Sequence, residues 1–135
     1  MSTELAKFEF FSDLSDEERA QLADFVEERS FAAGRRLFGK GEEAEDLLFV
    51  IEGHVRFEDE PVGGTFGPGA VLGSFALSSV RKRAVSAEAQ DDVKLLSLSR
   101  ESYWRLRSDY PNLALSLQEG LLSRLADDLE EFLSN

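Results

Sequence analysis

Apolar and polar positions follow two different periods along this chain. Between Ser15 and Glu28, the residues Leu22, Phe25 and Val26 share one helical face. Ser15-Asp16-Glu17-Glu18 reads as a capping box. The Ser15 hydroxyl accepts from the Glu18 backbone N–H, and the Glu18 side chain reaches back to the N–H of Ser15. The pattern predicts a short amphipathic helix from about Ser15 to Glu28. After Arg29 the texture changes. Glycines stand at 34, 39, 41, 53, 63, 64, 67, 69 and 73. Between them lie short apolar segments, Phe31–Ala33, Leu37–Phe38, Leu47–Ile51, Val55–Phe57 and Val71–Leu72. His54, Arg56 and Glu58 alternate with Val55 and Phe57, the period of a half-buried strand. Two further strands are predicted over Ala84–Ala89 and Val93–Leu98, with Asp91-Asp92 as the turn between them. Short strands and frequent turns indicate an antiparallel sandwich or barrel.

Helical periodicity returns at the end. Ser99 can cap a helix through about Arg107, and Pro111 suits the first turn of a last helix, where its missing N–H costs nothing. Leu115, Leu122 and Leu129 are spaced by seven, as are Leu125 and Phe132, while Leu117 and Leu121 widen the stripe. The stripe is too broad for a two-stranded seam, so one side is expected to pack on the domain and the other to meet a partner. Tyr103 and Trp104 are read as packing residues of the penultimate helix, with a contact surface as the other reading.

Composition narrows the function classes. The 135 residues fit one domain, and 42% hydrophobic with 31% charged residues is ordinary for a folded chain. The 11 Phe residues predict a core filled by rings. A formal charge of −12 repels phosphate backbones and anionic membranes, so neither nucleic acid nor membrane is expected as a partner. The chain has no Cys, which excludes disulfides, thiolate metal sites and thiol nucleophiles and fits a cytoplasmic location. Met1-Ser2-Thr3-Glu4 does not read as a signal peptide. His54 is the sole histidine, so a His-cluster metal site is not expected, and Glu42-Glu43 with Glu45-Asp46 is read as an acidic loop with weak cation affinity at most. No nucleophile elbow or placed base is found, so an enzyme is not expected.

One segment carries binding chemistry. Phe66-Gly67-Pro68-Gly69-Ala70-Val71-Leu72-Gly73-Ser74-Phe75-Ala76-Leu77 is a Gly-led loop running toward a short helix, and Arg81-Lys82-Arg83-Ala84-Val85-Ser86 follows. Outward N–H groups and a forked guanidinium suit an anion, though a solvated basic turn has the same composition. Position by position, Leu72-Gly73-Ser74-Phe75-Ala76-Leu77 and Arg83-Ala84-Val85-Ser86 resemble the phosphate-binding cassette of cyclic-nucleotide-binding domains. That family includes catabolite activator proteins, kinase regulatory subunits and gated channels. Gly34 to Glu42 is similar to its "Gly-x-x-Leu-x-x-x-Gly-Glu" stretch, and Leu48 to Val55 to its "Leu-Tyr-x-Ile-x-x-Gly-x-Val" stretch. Gly67-Pro68-Gly69 resembles its pre-cassette turn and Tyr110-Pro111 the start of its last helix. The resemblance runs from about Phe11 to Leu133.

The resemblance implies an eight-stranded jelly-roll β-barrel with one N-terminal helix and two C-terminal helices, residues 1–135 forming a single domain without a helix-turn-helix. It implies a site at Gly73, Ser74, Phe75, Ala76, Leu77, Lys82, Arg83, Ala84 and Ser86. Arg83 would pair with the cyclic phosphate, the N–H groups of Ala76 and Ala84 would bond its oxygens, and Ser86 would add a hydroxyl. Ser74 stands where the family has a Glu that accepts from the ribose 2′-hydroxyl. Losing that bond costs about 1.5–3 kcal/mol, roughly one to two decades in affinity. Lys82, where many members have Pro, adds charge near the phosphate. Two functions are therefore expected. The first is a regulatory sensor of cAMP or cGMP that signals through its last helix. The second is a degenerate member acting as a protein-interaction or dimerisation module.

Overall fold

The computed structural model describes residues 5, 8, 11–58, 64–72, 82–83 and 86–134, with the backbone alone from 124 onward. Two compact units emerge, Val26–Arg100 and the flanking Met1–Phe25 with Glu101–Asn135.

The flanking unit is helical. Helix α1 spans Asp16–Ala23. The expected capping box forms, with the Ser15 Oγ accepting from Glu18 N at 3.1 Å and Ser15 N donating to Glu18 Oε1 at 3.0 Å. The Arg19 guanidinium donates to the carbonyls of Phe11 and Leu14, at 3.2 and 2.6 Å, and so ties the preceding turn to the helix. α1 ends at Ala23 rather than near Glu28, because the residues from Glu27 leave as a strand. Helix α2 covers Arg100–Asp109 and helix α3 Pro111–Ser134. Pro111 opens α3 as expected. On α3, Leu113, Ala114, Leu117 and Leu121 are buried, whereas Leu115 and Leu122 are 54% and 66% exposed. Tyr103 and Trp104 divide in the same way, Tyr103 buried and Trp104 62% exposed. Phe25 meets Tyr110 edge to face.

The strand unit holds β1 (Glu27–Phe31), β2 (Arg36–Phe38), β3 (Asp46–Glu52), β4 (Val55–Phe57), β5 (Gly64–Phe66), β6 (Val71–Leu72), β7 (Ala87–Ala89) and β8 (Val93–Ser99). They form two antiparallel four-stranded sheets, in the orders β1-β8-β3-β6 and β2-β7-β4-β5. This is the jelly-roll arrangement, with two sheets in place of a closed barrel. β3 is apolar from Leu47 to Ile51, and Leu47, Leu48, Phe49 and Val50 are all buried, so both faces of β3 are covered. The interior collects Phe38, Leu48, Val50, Val55, Leu72, Ala87, Ala89, Val93 and Leu95. Small Ala87 and Ala89 leave room for rings: Phe57 lies 4.6 Å from Phe66 and 6.4 Å from Phe38, centroid to centroid. The outer face of the second sheet is charged, with Arg56 paired to Glu88 and Arg36 to Glu58 across the strands.

Two glycines fix turns, and the second bears on the site. Gly53 has φ +84°, and a Cβ there would meet the Asp92 carbonyl oxygen at 2.2 Å. Gly41, at φ +89°, donates its N–H to the Arg83 carbonyl at 2.9 Å. Among the described residues, no helix is long and apolar enough to cross a membrane.

Candidate functional site

The backbone of Arg83 is held from both sides. Its N–H donates to the Glu42 carbonyl at 2.7 Å, its own carbonyl takes the Gly41 N–H, and Lys82 bridges Glu43. The turn at Gly41 is what lets the 39–43 loop fold onto residues 82–83. The Arg83 side chain then enters the strand unit and is only 7% exposed. Its guanidinium lies 4.3 Å from the centre of the Phe38 ring. One terminal nitrogen, Nη2, donates to the Asp46 carbonyl at 3.0 Å and to Asp46 Oδ1 at 2.8 Å. The Nε is buried and has no hydrogen-bond partner among the described residues. Burial draws the Arg83 pKa below the ordinary arginine value, and the nearby Asp46 and Glu42 carboxylates oppose that shift.

Asp46, the first residue of β3, is the hub of this site. Its Oδ2 accepts from Ser97 Oγ at 2.8 Å and from Arg29 Nη1 at 3.2 Å. These donors come from β8, which lies beside β3, and from β1, the next strand in the same sheet. Arg29 in turn lies 5.1 Å from the Phe31 ring centre. Asp46 was read from the sequence as part of an acidic loop; it is instead a strand residue whose carboxylate is fully engaged. Among the described residues, no group of three or more His, Asp or Glu could hold a metal ion.

The remaining predicted positions divide. Ser86 is buried, and its Oγ accepts from the Lys40 N–H at 2.9 Å, tying the 39–43 loop to the start of β7. Lys82 is exposed. Gly73, Ser74, Phe75, Ala76, Leu77 and Ala84 lie outside the described residues. Sequence reasoning singled out Arg83 and Ser86 but missed the roles of Asp46, Arg29, Ser97 and Phe38. The one local signal for Asp46 was its place at the head of the apolar run Leu47–Ile51, where a carboxylate starts a strand rather than a loop.

Comparison with known proteins assigns the family. Residues 28–110 match the family model described as "Cyclic nucleotide-binding domain". The chain is 32% identical over 127 residues to a cyclic AMP receptor protein of Thermus thermophilus, a match covering 89% of this chain and 59% of that protein. It is 29% identical to a cyclic nucleotide-gated potassium channel of Rhizobium etli, covering 89% of this chain and 34% of the channel. The chain thus spans less than two thirds of either relative. The N-terminal domain of a transcriptional regulator from Streptomyces coelicolor superposes with a TM-score of 0.80 at 27% identity, covering 96% of this chain and 94% of that one. With the family model matching well over half of its length, the chain belongs to the cyclic nucleotide-binding domain family, a family of regulatory rather than catalytic domains.

Proposed function

We propose that this chain is a sensor domain whose ligand is a cyclic mononucleotide, cAMP ahead of cGMP, held by its phosphate on Arg83 and signalling through α3. One observation carries the reading: Arg83 is buried, half of its donor fork is held by Asp46, and among the described residues its Nε has no acceptor. A buried donor without a partner costs about 1–3 kcal/mol, and a phosphate oxygen is the acceptor that removes this cost. Exposed Lys82 beside it adds long-range attraction for an anion. Ser86 and the 73–77 segment complete the proposed cassette. The name of the Thermus relative supports cAMP as the first ligand to try.

The test is calorimetric titration of the domain with cAMP and cGMP, beside Arg83→Ala and Ser74→Glu. The expected result is micromolar cAMP binding, weakened about a hundredfold or more in Arg83→Ala and tightened about ten- to a hundredfold in Ser74→Glu. Absence of binding in both the unmodified chain and Ser74→Glu would refute the sensor reading.

A second reading, a member that has lost its ligand and serves as an interaction or dimerisation module, is favoured by the exposed apolar positions Trp104, Leu115 and Leu122. Sedimentation analysis decides it. A monomer at every concentration, unchanged by Leu115→Glu and Leu122→Glu, excludes dimerisation through α3.

A further inference from the structure

The last two helices of the flanking unit leave apolar side chains in solvent. Trp104 on α2 is exposed, and so are Leu115 and Leu122 on α3. Leu115 and Leu122 are two turns apart on one face of α3, about 10 Å along its axis. Trp104, Arg107 and Ser108 line one surface pocket on α2, and Arg105 is exposed beside it. This is a cationic and aromatic face on a chain of formal charge −12.

The acidic counterpart is on the same chain. Asp127, Asp128, Glu130 and Glu131 fall in the last turns of α3, and the final turn holds no cation. Negative charge at a helix C-terminus is unfavourable, and a cation from elsewhere relieves it. The chain's own α2 is badly placed to do so. From Pro111 the unbroken α3 rises about 24 Å to Asp127 and about 30 Å to Glu131, whereas Arg107 stands just before Pro111. A second copy can meet the need, and charge decides the direction. Parallel pairing through Leu115 and Leu122 would set the acidic turns of one copy against the same turns of the other. Antiparallel pairing, with Leu115 of each copy opposite Leu122 of the other, brings residue 126 of one copy opposite Pro111 of the other. The acidic turns then run past the junction of α2 and α3, beside Arg105 and Arg107.

We propose that the exposed face of α2 and α3 docks a second copy of this chain in antiparallel orientation, with Leu115 and Leu122 exchanging contacts and the acidic end of each α3 lying on Trp104, Arg105 and Arg107 of the other. The two copies are related by a two-fold axis, so every contact is made twice. The inference rests on the dimerisation part of the second reading above and is independent of whether a nucleotide binds.

The chain has no cysteine, so single cysteines report the pairing without background. Full-length Leu115→Cys and Leu122→Cys are oxidised separately and as a mixture. A disulfide needs Cα atoms within about 7 Å, and in the antiparallel pair each position is displaced about 10 Å from its own counterpart. The expected result is a disulfide-linked dimer in the mixture and none in either protein alone. Linked dimers in each protein alone show parallel pairing and overturn the inference, as does the absence of a disulfide in every sample. Sedimentation of the unmodified chain separates the two failures: a dimer leaves the dimerisation reading standing, and a monomer at every concentration removes both. Charge gives a second test. Glu130→Lys/Glu131→Lys lowers the net negative charge, yet it is expected to weaken the dimer about tenfold by setting cations against Arg105 and Arg107. An equal or tighter dimer in that variant overturns the inference.

Discussion

Arg83 and Asp46 form a pair whose halves differ in what their removal costs. Replacing Arg83 by Met removes two hydrogen bonds to Asp46 and the guanidinium over Phe38. Charge-assisted bonds are worth about 1.5–3 kcal/mol each and the cation–π contact about 0.5–2 kcal/mol. Against this, the variant no longer buries a charge, a desolvation cost of several kcal/mol per ion, and no longer leaves Nε without an acceptor, about 1–3 kcal/mol. The methionine thioether also packs on the Phe38 ring, and Asp46 retains Ser97 and Arg29. The opposing contributions nearly cancel, so Arg83→Met should change stability by less than about 1.5 kcal/mol. Asp46→Ala is different. It leaves a buried guanidinium without its counter-ion and should cost about 3–5 kcal/mol. The double variant should match Arg83→Met rather than the sum, a coupling of about 2–4 kcal/mol. Urea unfolding followed by circular dichroism measures all four proteins. A loss above about 3 kcal/mol in Arg83→Met, or below about 1 kcal/mol in Asp46→Ala, refutes the reasoning. If both results hold, Arg83 is an arginine that the fold does not need, which leaves it available for something other than stability.

Two further outcomes follow from the turns around the strands. Gly53→Ala forces an alanine to φ +84° with its Cβ 2.2 Å from the Asp92 carbonyl, so the main chain must shift; a loss of about 3 kcal/mol or more is expected in urea unfolding, and a loss below about 1 kcal/mol counts against the geometry. The carboxyl of Asp91, which accepts from His54 Nδ1 at 2.8 Å and His54 N at 2.6 Å, is held below its ordinary pKa of 3.8 by these bonds. A depressed folded pKa means the unfolded chain takes up the proton more readily. The Asp91 contribution is therefore present above pH 3.8 and lost as the pH falls toward the lower folded value. Asp91→Asn should flatten the pH dependence of stability in that acid range, and identical slopes in the two proteins would contradict the assignment.

What the sequence disclosed depended on how local each cause is. The capping box at Ser15 and Glu18 is a relation between residues three apart, and it formed as read. Leu47–Ile51 announced β3 because an unbroken apolar run has few other uses. The end of α1 was misjudged because the residues after it are taken up by β8: Glu27 through Phe31 pair with Ser97 through Val93. That competition is tertiary and leaves no mark on helical periodicity. β5 was not foreseen, since Gly64-Thr65-Phe66 has no alternation of its own and exists by pairing with Val55–Phe57. The clearest miss is Asp46. Its three side-chain partners, Arg29, Arg83 and Ser97, stand 17, 37 and 51 residues away, so in sequence it shows only its acidic neighbours. The spacing of Leu115 and Leu122 was legible, but which flank of α3 is covered depends on packing, and both proved exposed.

On the proposed reading, Ser74 and Arg83 would face opposite ends of a cyclic nucleotide. At Ser74 the family's carboxylate, which would anchor the ribose, is absent; at Asp46 a carboxylate stands against the arginine that would anchor the phosphate. The change at Ser74 would remove an attraction of about one to two decades in affinity. That would lower affinity without dismantling the phosphate end, because Arg83 is buried and, among the described residues, its Nε has no acceptor. Decay of an unused pocket would more readily exchange the buried arginine for an apolar side chain, which the fold tolerates at little cost. On the proposed reading, Arg83 with a weakened ribose anchor would make a sensor that responds at high ligand concentration, where modest affinity keeps the response graded instead of saturated.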